Sequence, residues 1–393
     1  MDVIQAKDYV NLATAEVLGE TGIVNEDLSN LVDVGNEILN NRKVDAFVRS
    51  LVNHIGKVIV VDRMYQGTAP NILREDWEYG SIVQKIRSKM PTATINENWE
   101  LVDGESYDGT VFHGSDVSSK FWDDGLAFEF DQSITEDVVK QSFSNGQQLS
   151  SFINMLFNNV RKAQTIATEK LVRATINRFM AETLYSFAPD GNYSGKTSDR
   201  VRNLYYEYTL ENPDTTLTAV TCWKDPDFQR FAAQEWLIGI DNLRGMFEGY
   251  NVGGVDTFTP KEYLNVLMLT RFKKMAEMHL GADTFHNELV ALPGATEVPY
   301  WQGPGKASED NHNLSHTQAD ISKIDITIEN GVEVECSGII GCMFDREALG
   351  IWQEDIRVDT EWVAKGGFTN YFHKLFMRCW NDLNENFVMF ITA

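Results

Sequence analysis

Three groups of residues in this chain have the types and spacing that enzymes use. The first is GNYSGKT, residues 191–197, which resembles the phosphate-binding P-loop of nucleotide-dependent enzymes. The segment has one residue fewer between its glycines than a P-loop, and it follows a predicted helix where a P-loop follows a strand. We therefore interpret this segment as a turn.

The second group is a histidine pair, His312 and His316, whose spacing on a helix could hold a metal ion. The pair lies in the polar segment GPGKASEDNHNLSHTQAD, which is typical of a loop, and the Glu of the HExxH zinc motif is missing. His279 and His286 lie upstream without a third obvious ligand. Chance spacing is the better interpretation, and we predict no metal site.

The third group is a carboxylate pair, Asp345 and Glu347, directly after the apolar run in CSGIIGCMFDREALGIWQED (residues 336–355). Enzymes often place acid–base groups just past a strand. In a turn, however, side chains two residues apart diverge. Since the sequence also lacks the Gly-x-Ser-x-Gly and Gly-x-Gly-x-x-Gly motifs, we predict no catalytic and no cofactor-binding residue.

Composition and charge narrow the class of protein. The chain has 393 residues, 43% of them hydrophobic, which suits a globular protein of two or three domains. Its formal net charge of −24 disfavours binding to nucleic-acid phosphates unless cations cluster. The densest cationic groups, Lys85-Arg87-Lys89 and Arg271-Lys273-Lys274, are too small for a binding face, and we interpret them as a solvated surface with local salt bridges.

The cysteines and the apolar runs bear on the compartment. The four cysteines form no CxxC pair, as is typical of buried thiols in a reducing compartment. The segment MDVIQAKDYV lacks the apolar core of a signal peptide, and no apolar run reaches the roughly 18 residues that cross a bilayer. We expect a soluble protein made in the cytoplasm.

The first third of the chain has two unusual parts. Residues 1–46 are polar and rich in Asn, which predicts an N-terminal arm. Residues 62–132 contain short apolar clusters between turns, with aromatic side chains that such a segment cannot bury by itself. This pattern predicts a long hairpin that packs on a partner. Its candidate contact residues are Trp77, Trp99, Phe112 and Trp122.

The strongest helical period follows the hairpin. Apolar residues recur every three or four positions from Leu149 to Ala174, which predicts one long helix from about residue 150 to 186. At 1.5 Å per residue this helix is about 55 Å long, so we expect a spine shared by neighbouring parts of the protein. Upstream, Ser133-x-x-Glu136 fits a capping box and predicts a helix that begins near Ser133.

A separate α/β module is predicted after the break PDGNYSGKTSD. Residues 225–249 predict a helix with Asp225 as N-cap and Pro226 at its first position, and residues 271–281 predict another. Strands are predicted for TLTAVTCW (216–223), YLNVLMLT (263–270) and ELVALPG (288–294). The last seventy residues return to strand patterns: KIDITIE, IIGCMF, DIRVDTEW, GGFTNYFHKLFMRCW and NFVMFITA.

The order of these parts resembles the major capsid protein of tailed bacteriophages, the Hong Kong 97-type fold, and is most similar to those of small short-tailed phages. The resemblance lies in FVRSLVNHIGKVIVV, LSSFINMLFNNVRKA, IIGCMFDREALGIW, GGFTNYFHKLFMRCW and ENFVMFITA. The family's last strand usually has a small residue where Phe387 stands here. The resemblance covers residues 47–393, and it implies that Asp345 and Glu347 are structural.

The resemblance implies an α+β fold with four parts. These are an N-terminal arm (1–46), an extended β-hairpin or E-loop (62–132), a peripheral domain with the spine helix (47–61, 133–189 and 323–393) and an axial α/β domain (190–322).

The resemblance also implies a function. Many copies would form hexamers and pentamers and close into the icosahedral or prolate head of the virion, around double-stranded DNA that the protein contacts without sequence specificity. A scaffolding protein and a portal are implied partners, with assembly in the host bacterial cytoplasm and no membrane. The acidic charge would keep DNA from adhering to the wall. The alternatives are an encapsulin-like nanocompartment shell and an enzyme using His312 and His316 or the loop at Gly191.

Overall fold

The structure, a computed structural model, describes most of the chain. It covers residues 67–74, 82–91, 114–123, 125–135, 146–281, 295–302, 320–328 and 331–393, with single positions at 15, 93, 103 and 110. The described residues fall into two compact units. The small unit contains Asp131–Ala163 and Asp359–Phe372, and the main unit contains Gln66–Phe130, Gln164–Val358 and His373–Ala393.

The strands and helices are numbered in chain order. The strands are β1 (Leu73–Arg74), β2 (Val83–Ser88), β3 (Val117–Trp122), β4 (Gly125–Thr135), β5 (Val201–Asn203), β6 (Leu264–Leu269), β7 (Thr296–Val298), β8 (Ile324–Thr327), β9 (Glu333–Cys336), β10 (Ile339–Asp345), β11 (Leu349–Val363), β12 (Phe368–Asn381) and β13 (Phe387–Ile391). The helices are α1 (Gly146–Phe187), α2 (Leu204–Glu211), α3 (Pro226–Asn242) and α4 (Thr270–Gly281). Among these helices, none is both long and apolar enough to span a lipid bilayer.

A five-stranded sheet in the order β5-β13-β10-β6-β7 lies at the centre of the main unit. Strand β10 pairs antiparallel with both β13 and β6, and every residue of β10 and β13 is buried. Near-continuous apolar runs are typical of strands covered on both faces. The α/β module was predicted to be separate, but its strands β5, β6 and β7 share one sheet with β10 and β13 of the C-terminal segment.

The other strands form smaller sheets. A four-stranded sheet has the order β1-β11-β12-β4, and β2–β3 and β8–β9 are two-stranded. The C-terminal strand patterns of the sequence are confirmed as β8, β10, β11, β12 and β13.

The predicted long helix is confirmed as α1, which extends over 42 residues; its role as a spine stays a prediction. At 1.5 Å per residue it is about 63 Å long. The last three turns of α1 are buried around most of the helix circumference. Phe179, Met180 and Leu184 are buried on the apolar side, and Thr183 is buried on another side. The Thr183 hydroxyl donates to the carbonyl oxygen of Phe179 at 2.9 Å, so this buried polar group is satisfied within the helix.

Two predicted elements are wrong. Residues 216–223 form turns and a short 3₁₀ segment instead of a strand, because Thr218 and Thr221 bond to each other's backbone N–H groups and close a turn. The capping box at Ser133 does not begin a helix: Ser133 lies in β4, and its hydroxyl donates to the Asn370 side chain at 2.6 Å. Local polar side chains can cap a turn or pair with a strand as readily as begin a helix.

The helix prediction at Asp225 is confirmed at its start. The Asp225 carboxylate accepts the backbone N–H groups of Asp227 and Phe228, both at 3.0 Å, and Pro226 is the first helical residue. The helix ends at Asn242, seven residues before the predicted end. The strand at Leu264–Leu269 and the helix α4 are also confirmed, whereas the predicted strand at 288–294 and the arm 1–46 lie outside the described residues.

Gly341 of β10 is closely packed by its neighbours in the main unit. A Cβ atom at this position would collide with the carbonyl oxygen of Leu267 and with the ring of Trp236. We expect Gly341→Ala to lower the free energy of unfolding by about 1–3 kcal/mol, because overpacking forces its neighbours apart. The midpoint of urea unfolding, followed by tryptophan fluorescence, measures this loss.

Gly125→Ala is the matched control for this prediction. Its added Cβ would meet only the flexible end of Arg378, at 3.3 Å, and the unfolding midpoint should stay close to that of the wild type. Equal losses in the two variants would contradict the packing argument.

Candidate functional site

The residues that the sequence analysis singled out do not converge on one site in the part of the chain that the structure describes. Trp77, Trp99 and Phe112, like His312 and His316, lie outside the described residues. Trp122 is the last residue of β3 and is half-buried.

The P-loop-like segment is a turn, as predicted. Gly191 and Gly195 both adopt positive φ angles, of 69° and 67°, which glycine adopts without steric cost. The Lys196 ammonium, which would bind phosphate in a P-loop, forms an ion pair with Asp190 at 2.9 Å.

The carboxylates of Asp345 and Glu347 have different partners. Asp345 is buried at the end of β10, and its Oδ1 accepts the backbone N–H of Glu347 at 2.7 Å. Burial raises the pKa of Asp345, and hydrogen bonds from Glu347 and Thr259 offset only part of that effect. Glu347 forms an ion pair with Arg74 at 3.0 Å. The predicted strand-to-turn joint is confirmed, and the two carboxylates diverge.

The hairpin β2–β3 has an unusual distribution of side chains. The strands pair antiparallel from Val83 opposite Trp122 to Ser88 opposite Val117. Alternate residues of β2 are half-buried and exposed, so one face of the hairpin is covered and the other is open. We call the covered face the inner face and the open one the outer face.

The outer face exposes several large apolar side chains among polar ones. Ile86 and Phe121 are 64% and 61% exposed, and Val117 is also exposed. Ile82 and Met90, at either end of β2, are exposed as well. Each of these side chains leaves apolar surface in contact with water, which is unfavourable unless another molecule covers it.

The inner face carries cations that bind two carboxylates of the β12–β13 connection. Lys85 Nζ lies 2.8 Å from Asp382 Oδ2 and also contacts Glu385. Lys120 Nζ lies 2.8 Å from Asp382 Oδ1, and Arg87 contacts Glu385. These five residues are called the ionic base.

The two carboxylates of the ionic base are buried, so they depend on their cationic partners. Asp382 and Glu385 are only 2% and 5% exposed, so their negative charges have lost almost all contact with water. Burial by itself would raise the pKa of Asp382, but hydrogen bonds from Lys120 and Lys85 and their positive charges hold it below its ordinary value. Removal of a partner leaves a buried charge uncompensated, which costs more than an exposed ion pair is worth.

The ionic base was not predicted from the sequence. Lys85, Arg87 and Lys89 were interpreted as a solvated surface with local salt bridges, but Lys85 and Arg87 bind carboxylates almost 300 residues away. Alternation of Lys85 and Arg87 with Gln84 and Ile86 was the available signal, because it places the cations on one face of a strand. The interpretation holds for Lys273 and Lys274, which pair with Glu297.

Lys85 touches both buried carboxylates, so its removal should loosen the hairpin. We expect Lys85→Met to cost about 2 kcal/mol in hairpin docking, between the values for exposed and fully buried pairs. Amide hydrogen exchange in β2 and β3 should then be about 30-fold faster. Lys89→Met in the same hairpin is the control, since its ammonium forms no ion pair with the described residues; equal acceleration in both variants would contradict the role of Lys85.

Low pH should also weaken the ionic base. A carboxylate with a lowered folded-state pKa stabilises the fold above its ordinary pKa of about 3.9, and this stability is lost as pH falls through the folded value. Protection of the β2 and β3 amides should therefore fall between pH 5 and 2, after correction for intrinsic exchange.

Asp382→Asn is the control for this pH dependence, which it should flatten. Asp345, whose pKa is raised, contributes in the opposite direction, so the readout must be local to the hairpin. An unchanged pH profile in Asp382→Asn would contradict the assignment.

Comparison with known proteins gives the chain a family. The model of the Phi29-like phage major capsid protein family matches residues 10–391. The major capsid protein of Bacillus phage GA-1 is 20% identical over 145 residues, which are 36% of this chain and 29% of that protein. The match therefore spans less than a third of that relative's length.

Solved structures are similar in fold. A chain of the capsid of Staphylococcus phage Andhra has a TM-score of 0.55 at 10% identity, over 86% of this chain and 87% of the other. A chain in the structure of head fiber and inner core protein gp22 of native bacteriophage P68 has a TM-score of 0.50, at the same identity and coverage. These likenesses show a mixed α and β fold of phage capsid structures. Because the family model matches nearly the whole sequence, the chain belongs to the Phi29-like phage major capsid protein family.

Proposed function

We propose that this chain is the repeating subunit of a phage head and that the outer face of the β2–β3 hairpin joins it to a neighbouring copy. The family supports the first statement, since its members are major capsid proteins. The single observation that carries the second is the apolar outer face opposite a cationic inner face.

The two faces have to be considered together. In an isolated subunit a two-stranded hairpin gains stability by turning its apolar face inward. Here the apolar face is open, while the inner-face cations bind carboxylates of the same subunit. A surface held open in this way suits a partner, and a closed shell supplies the same partner to every copy.

The hairpin corresponds to the E-loop of the Hong Kong 97-type fold. In this proposal residues 62–132 form that loop, and α1 is the spine helix of a peripheral domain (47–61, 133–189 and 323–393). Residues 190–322 form the axial domain, and residues 1–46 form the arm. The shared five-stranded sheet means that the axial and peripheral domains would have one continuous core.

Phe121 and Ile86 are the contact residues that we favour. Trp77, Trp99, Phe112 and Trp122 remain candidates, since aromatic side chains dominate interface energies. Trp122 alternates with Phe121 along β3 and lies on the inner face, where it is half-buried. Its share in a contact between copies is therefore smaller than that of Phe121.

The further partners follow from family and charge. Copies would form hexamers and pentamers around double-stranded DNA. A chain of net charge −24 would contact this DNA without sequence specificity. A scaffolding protein and a portal would take part in assembly, in the host cytoplasm. The family favours a phage shell over a nanocompartment, and such proteins are not normally enzymes.

Particle mass tests the proposal. Purified protein, alone or with the product of a neighbouring gene, should form closed shells of megadalton mass by light scattering and electron microscopy. The double variant Ile86→Ser/Phe121→Ser should remain near the 44.6 kDa chain mass, because the apolar contact is lost.

Leu210→Ser is the matched control. Leu210 lies on α2 and is 61% exposed, the same fraction as Phe121. Shells should form with this variant. Absence of shells from the wild type under both conditions would overturn the subunit proposal, and normal shells from the double variant would overturn the role of the hairpin.

A further inference from the structure

The main unit contains a cavity of about 770 Å³, and none of its lining residues belongs to β2 or β3. It lies between the turn at residues 219–224, helix α4 and the end of strand β9. A cavity of this size accommodates several side chains of a peptide.

The walls combine apolar and polar surface, and part of the apolar surface is well fixed. Val220, Trp223, Met275 and Ile321 line the cavity. The Trp223 Nε1 donates to Thr392 Oγ1 at 2.9 Å, which holds the indole in place. Val220 is exposed, so an apolar side chain stands at the cavity with no cover from the described residues.

The anionic side chains of the cavity already have partners. The Asp320 carboxylate accepts hydrogen bonds from Ser322 and Ser337. Glu335 forms an ion pair with Lys323 at 2.6 Å. Neither carboxylate therefore needs a cation from a bound molecule.

The cationic side chains differ. Lys224 and Arg271 line the same cavity, and neither side chain forms a hydrogen bond or ion pair with any described residue. In a chain with net charge −24, two unmatched cations beside a partly apolar cavity favour an acidic occupant with apolar side chains.

One segment of this chain has that chemistry. Residues 95–113, INENWELVDGESYDGTVFH, join β2 to β3 and contain five acidic residues and no Lys or Arg. The same segment contains Trp99, Tyr107 and Phe112. We call it the tip segment.

We infer that the cavity lined by Lys224 and Arg271 binds the tip segment of a neighbouring copy. This inference rests on the proposed function, because it supplies the site on the neighbour that the hairpin reaches. Carboxylates of the tip segment pair with the two cations, and its aromatic side chains contact the apolar part of the cavity wall. The apolar contact contributes most of the affinity, and the charges select the partner and its orientation.

Binding of a synthetic peptide tests the inference directly. A fluorescein-labelled peptide of residues 95–113 is titrated with the full-length protein at low ionic strength, and anisotropy is measured. We expect saturable binding that weakens as salt is added. Lys224→Glu/Arg271→Glu should bind at least tenfold more weakly, whereas Lys261→Glu, on an exposed turn outside the cavity, should bind as the wild type does.

A peptide with reversed charges distinguishes loss of charge pairing from misfolding of the cavity variant. In the reversed peptide Glu97, Glu100 and Asp103 are replaced by Lys. This peptide should bind poorly to the wild type and regain affinity for Lys224→Glu/Arg271→Glu. Restored binding requires a folded cavity and the predicted pairing.

Three outcomes overturn the inference. These are no binding of the peptide, equal binding by the cavity variant, and stronger binding of a peptide from residues 8–41, which is also acidic and free of Lys and Arg. If the wild type still forms shells in any of these cases, the inference fails and the proposed function stands. If no shells form, the proposed function fails by its own test.

Discussion

The burial of Asp382 and Glu385 is the constraint on which the exposed surface of this protein depends. Two carboxylates that have lost their water require positive charge within hydrogen-bonding distance. The hairpin supplies it from three side chains on one of its faces. Strand side chains alternate between faces, so the opposite face, with Ile86 and Phe121, has to be the open one. Exposure of apolar surface is thus a consequence of charge satisfaction elsewhere.

The central sheet holds those carboxylates in place. Asp382 and Glu385 lie in the short connection that leads into β13, and β13 is buried along its whole length. Within the connection, Glu385 N–H donates to the Asp382 carbonyl at 3.0 Å, and Asp382 N–H donates to the Ala348 carbonyl. A rigid core strand therefore positions the ionic base, and movement of the hairpin has to break ion pairs rather than bend the sheet.

A shell subunit needs a surface that reaches out and a surface that receives. In our proposals, the hairpin and its tip segment take the first role, and the cavity lined by Lys224 and Arg271 takes the second. A heterologous contact of this kind repeats around a ring and closes when the rotation allows. Modest contacts then suffice, because each subunit takes part in several of them.

The sequence by itself determined the elements with strong local signals. The α1 period, the Asp225 cap and the apolar runs of β10 and β13 were predicted because each depends on residues close together in the chain. The order of these parts indicated the capsid family, which the family match confirms. Local signals failed at residues 216–223 and at Ser133, where threonine and serine hydroxyls had alternative partners.

Only the tertiary structure decided what the cations do. Lys85 and Arg87 look like any exposed pair until Asp382 and Glu385, almost 300 residues away, are brought beneath them. The same holds for Lys224 and Arg271, which only the fold places at the rim of one cavity. Charge pairing acts over a few ångströms in space, and the separation of two residues along the chain does not predict that distance.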